Sequence, residues 1–120
     1  YKSSAFNISM ETYQFEELDT LVRFHLRFYK KQLSRDNFYL EHLEVNEAHT
    51  VKPLEKIYVF CIEQSLEDLT QEERMILLKE NVEGVNKNWW MEYFSKSTYY
   101  RLKYKAMDRF IHCLHSESML

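Results

Sequence analysis

At 120 residues the chain has the size of one domain, and its 45% hydrophobic and 16% aromatic side chains exclude a disordered segment. One glycine and one proline leave too few turn residues for a sheet, which points to an all-α fold, and no apolar run is long enough to span a membrane. The net charge of −3 is unevenly placed: residues 1–85 carry 10 basic and 16 acidic side chains (−6), residues 86–120 carry 6 and 3 (+3), so an acidic body has a basic end that can face a polyanion.

Residues 1–8 have no periodic pattern and are expected to form a loose arm. From about Ser9 to Leu33 a long helix is predicted, because Phe15, Leu18, Val22, Leu26, Tyr29 and Leu33 recur at threes and fours. Leu21, Phe24 and Phe28 add a second stripe beside the first, a width that suits a central helix or one shared with a partner chain. Arg23, Arg27, Lys30, Lys31 and Arg35 give its second half a basic side; lysine and arginine stems covering apolar surface account for it without a ligand.

Ser34-Arg35-Asp36-Asn37 breaks the pattern and can cap a second helix, from about Asp36 to Ala48, anchored by Phe38, Leu40 and Leu43. Asn46 to Val51 reads as loop. Pro53 suits a first helical turn and opens a third helix to about Asp68. Its middle is almost continuously apolar, which marks it as the core helix of the N-terminal part; the run Lys56–Ile62 could alternatively be a strand. Thr70-Gln-Glu-Glu73 is a capping box opening a fourth helix to about Glu83, with Met75, Leu78 and Val82 turned inward. Gly84, the single glycine, stands where a helix end favours a left-handed residue.

The stretch from Asn88 to Phe110 organises the chain. Trp89–Phe94 is a short helix, followed by a tight turn and a longer basic helix from Lys96 to about Leu114, for which the Ser95 hydroxyl can cap a free backbone N–H. Tyr99, Leu102, Ala106, Phe110 and Cys113 share one face; Arg101, Tyr104 and Lys105, with Ser97 a turn earlier, point the other way. Tyr100, Met107, Ile111 and Leu114 form a second stripe, so the helix is apolar over about half its circumference and packs on the N-terminal helices or on another copy of the chain. A basic helix held from behind is what DNA reading requires.

Ser95-Lys-Ser-Thr-Tyr-Tyr-Arg-Leu-Lys-Tyr-Lys-Ala106 resembles the recognition helix of ArpU-type, phage-derived transcriptional regulators and, more distantly, region four of bacterial sigma factors. Leu69-Thr-Gln-Glu-Glu-Arg-Met-Ile-Leu77 is similar to the helix that opens those domains. The likeness covers about the last 50 residues. The whole chain also resembles a small family of mycoplasma proteins, a likeness that carries no activity with it. What the resemblance implies is a bundle of about six helices ending in a helix-turn-helix (69–115 after helices over 9–68), binding double-stranded DNA, commonly as a dimer. Two departures from the pattern stand out: Tyr93-Phe94 replaces the usual turn glycine, and the bulky Trp89-Trp90 pair occupies the usual small contact.

Other chemistry finds little footing. Structural zinc sites take ligands in two close pairs, and His112-Cys113 with His115 supplies only one; His25 and His42 stand alone. Cys61 and Cys113 are too few and too distant for a disulfide framework and read as thiols of a reducing cytoplasm. One glycine cannot make a phosphate loop, and no nucleophile setting is present. Neither an enzyme nor a metal or other cofactor is expected.

The expected interface is therefore Lys96, Ser97, Thr98 and Arg101 at the reading end of the last helix, with Lys103, Lys105 and Arg109 on phosphates. The competing expectation is a helical protein-interaction module, homodimeric or bound to another protein through its aromatic-rich helices, with a degenerate helix-turn-helix.

Overall fold

The computed structural model describes residues 13–41 and 53–118. Four α-helices lie among them: α1 (Phe15–Glu41), α2 (Pro53–Glu67), α3 (Gln71–Leu78) and α4 (Lys96–Ser118). A π-helical turn, Lys79–Glu83, extends α3, and a 3-10 turn, Trp89–Glu92, precedes α4. No strand occurs among the described residues, and the run Lys56–Ile62 is helical. With no neighbouring strand to satisfy it, that backbone bonds within itself. No helix among the described residues is long and apolar enough to cross a membrane.

The count of about six helices is not what the described residues show. The break expected at Ser34–Asn37 does not occur, and α1 continues to Glu41. Polar residues inside a helix cost only tenths of a kcal/mol each. Tertiary contact offsets this: Gln32 is buried, and the Arg35 guanidinium lies 3.8 Å from Glu55 on α2. The expected arm over 1–8, the start of the first helix at Ser9, the helical stretch beyond Glu41 and the loop over 46–51 lie outside the described residues, as does His42.

α3 begins as its sequence dictates. The Thr70 hydroxyl accepts from Glu73 N–H at 3.2 Å, and the Glu73 carboxylate accepts from Thr70 N–H at 3.0 Å. At the other end Asn81 Nδ2 donates to the Leu77 carbonyl at 3.0 Å, competing with the α-helical ladder where it widens to π. Gly84 then closes the segment at φ 69°, and among the described residues it alone has a positive φ. The residues α3 buries are Glu73, Ile76 and Leu77; Met75, Leu78 and Val82 are only half-buried.

The centre of the molecule is α4, which packs on α1, α2 and α3. Its Ala106, Met107, Phe110, Ile111 and Leu114 meet Leu18, Val22 and Leu26 of α1, Ile62 and Leu66 of α2, and Leu77 of α3. A second cluster joins Ile76, Trp89 and Tyr99. α2, expected as the core helix of the N-terminal part, packs against both α4 and α1. Among the described residues its buried side carries Cys61, Ile62, Ser65 and Leu66, while Leu54, Ile57 and Phe60 are exposed.

Candidate nucleic-acid interface

The turn before α4 forms without glycine. Tyr93 stays right-handed at φ −112°, and both the Tyr93 and Phe94 N–H groups donate to the Trp90 carbonyl at 2.9 Å. One carbonyl thus closes a 3-10 turn from which the chain leaves directly into Ser95. The Ser95 hydroxyl accepts from Thr98 N–H at 3.3 Å and donates to the Thr98 hydroxyl at 3.0 Å. Ser95 is the cap its sequence position promises.

The crowded tryptophans become an anchor. Trp90 stacks on Tyr99 with ring centroids 4.6 Å apart and planes 7° from parallel. Trp89 stands edge-on to Tyr99 and donates its indole N–H to Glu80 Oε2 at 2.9 Å. The Tyr99 hydroxyl donates to the same carboxylate oxygen. Burial and that carboxylate push the Tyr99 phenol well above its ordinary range. Lys103 completes the group: its ammonium lies 2.9 Å from Glu80 and 4.0 Å from Asp19 of α1 and sits over the rings of Phe15 and Tyr99. Glu80, at the π turn, therefore ties the 3-10 turn and α4 to the end of α3.

The Glu-Arg pair that opens α3 has structural work. Arg74 donates to the carbonyls of Leu66 (3.0 Å) and Leu69 (3.1 Å), satisfying the end of α2. Glu73 is 2% exposed and, beyond its capping role, lies 3.6 Å from the Arg109 guanidinium. Tyr104, on the flank of α4, donates its hydroxyl to the Tyr13 carbonyl and ties down the start of α1.

The predicted interface residues divide on this frame. Lys96, Ser97, Arg101, Lys105 and Arg109 are exposed, and Thr98 is half-buried beside its cap. Ser97, Arg101, Lys105 and Arg109 follow one another at intervals of four, a continuous ridge on an α-helix. At 100° per residue, Arg101 and Lys105 lie across the axis from fully buried Ala106 and Phe110. Lys103 is not on this ridge; its side chain is 14% exposed and its charge is spent on Glu80 and Asp19. That placement was within reach of the sequence, since Lys103 falls four residues after Tyr99 and three before Ala106. Glu80 was not: nothing local marks it as a shared acceptor.

No protein-family profile, curated protein or solved structure matches this chain.

His25 Nδ1 and the Tyr58 hydroxyl share a hydrogen bond between α1 and α2, and burial pushes the imidazole below its usual value of 6.5. Cys61 and Cys113 are free thiols, and burial raises that of Cys113. Among the described residues no three His, Cys, Asp or Glu side chains converge as metal ligands.

Proposed function

We propose that the chain is a double-stranded-DNA-binding regulator of the helix-turn-helix kind, with α4 as the reading helix and α3 with the 3-10 turn as its support. The reading rests on one observation: among the described residues Arg101 and Lys105 are exposed, on the side of α4 opposite its buried Ala106 and Phe110. Had the basic groups folded inward as Lys103 does, no charged ridge would remain for a groove. Ser97 and Arg101, near the start of α4, are suited to base edges, where arginine can make a bidentate contact with guanine. Lys96, Lys105 and Arg109 are suited to phosphates, which need charge and little else. Thr98 is held back by its bond to Ser95 and supports the helix end.

Titration of random-sequence duplex at several salt concentrations tests this reading. Neutralising the three phosphates assigned to Lys96, Lys105 and Arg109 gives log K a slope on log salt of about −3. Lys105→Ala is expected to flatten that slope by about one unit and to weaken all duplexes alike. Absence of binding at low salt would sink the proposal and leave the interaction-module reading.

A further inference from the structure

A second basic surface lies on α1, outside the α4 ridge. Residues 20–35 hold five lysines and arginines and no acid. Arg23, Arg27 and Lys30 follow one another at four and three residues, so they form one stripe, about 10 Å long at the helical rise. All three are exposed. Their stems do not serve to cover apolar surface, because Phe24, one turn from Arg27, is itself 66% exposed.

The stripe starts in a groove. Arg23 shares with Asn86, Lys87, Trp90, Tyr100 and Lys103 a hollow of about 480 Å³ between α1, the 3-10 turn and the start of α4. Trp90 is fixed there by its stack on Tyr99, and the exposed Tyr100 ring lies 6.4 Å from that of Trp90, tilted by 59°. The acids at the groove are already matched, Glu80 by Lys103 and Asp19 by Arg23, each at 2.9 Å. Lys87 stands exposed beside them. Rigid aromatic rings among cations suit the faces of nucleobases and the phosphates that join them. In a duplex those faces are covered by neighbouring bases, so only an unpaired strand can offer them to Trp90 and Tyr100. A mononucleotide would fill the groove and leave Arg27 and Lys30 unused.

We infer that the groove and the stripe together bind single-stranded nucleic acid: a base stacks on Tyr100 and Trp90, Lys87 holds its phosphate, and the strand continues along α1 over Arg27 and Lys30. The inference stands apart from duplex reading by α4. Titration with oligo(dT) and oligo(U) of about twelve nucleotides, followed by tryptophan fluorescence, tests it on the chain and three variants. Far-ultraviolet circular dichroism confirms that each variant is folded. At least one oligomer quenches the fluorescence, and its log K falls on log salt with a slope of about −2 for three phosphates. Tyr100→Ala removes one stacked base and weakens binding about ten-fold. The double variant R27A/K30A flattens the slope by about 1.4, while Lys105→Ala leaves it unchanged. No quenching by either oligomer at low salt overturns the inference. So does binding indifferent to Tyr100→Ala, or a slope that Lys105→Ala flattens as much as R27A/K30A does.

Discussion

Lys103 and Lys105, two positions apart in sequence, have opposite assignments because helical geometry puts them on opposite sides of α4. Lys103 holds Glu80 and Asp19 in a partly dry setting, where removing the cation strands carboxylates that have little water. Lys103→Ala should cost about 2 kcal/mol of unfolding free energy in urea denaturation and leave the salt slope of DNA binding unchanged. Lys105→Ala should do the reverse: little loss of stability, and a flatter slope. Were both variants to alter binding and spare stability, the division between anchor and ridge would be wrong. His25 supplies a pH signature. Its native state favours the neutral ring, so below pH 6.5 the unfolded chain takes up the proton more readily and stability falls as pH falls. His25→Gln should remove that part of the decline between pH 7 and 5, measured as the denaturation midpoint against pH.

At the scale of elements, caps and turn residues decide where helices begin and end. The Thr70–Glu73 box satisfies orphan N–H groups at the start of α3, and Thr70→Ala should cost about 1 kcal/mol. Gly84 is left-handed at φ 69° with open space around its missing side chain. The cost of Gly84→Ala is therefore backbone strain alone, about 1–2 kcal/mol, and Gly84→Asn should cost less, because asparagine tolerates that region. Thermal unfolding of the pair checks the order; equal losses would contradict a backbone origin. These caps were legible in the sequence because each involves neighbours within a few residues. The continuity of α1 was not. Ser34–Asn37 has the composition of a break, yet α1 runs through it, with Gln32 buried and Arg35 within 3.8 Å of Glu55 on α2.

Across the whole molecule, α4 is both the centre of the core and the bearer of the proposed interface. Phe110 is fully buried among three other helices, so Phe110→Ala should cost about 3–5 kcal/mol, enough to unfold a marginal domain. The proposed function and the stability thus share one helix, on opposite faces. Leu54, Ile57 and Phe60 of α2 form a second exposed surface among the described residues, separate from α4's basic ridge.

The sequence by itself determined the helical class, through its lack of glycine and proline, and the local punctuation at Thr70, Gly84 and Ser95. It also marked the buried face of α4, because a repeat of three and four residues is a statement about one helix alone. Tertiary structure decided which helix lies at the centre, that Glu80 gathers Trp89, Tyr99 and Lys103, and that α2 keeps an apolar side exposed among the described residues. Those outcomes depend on which surfaces meet across distant parts of the chain, and hydrophobic spacing, being blind to partners, cannot say whether a given stripe will find one.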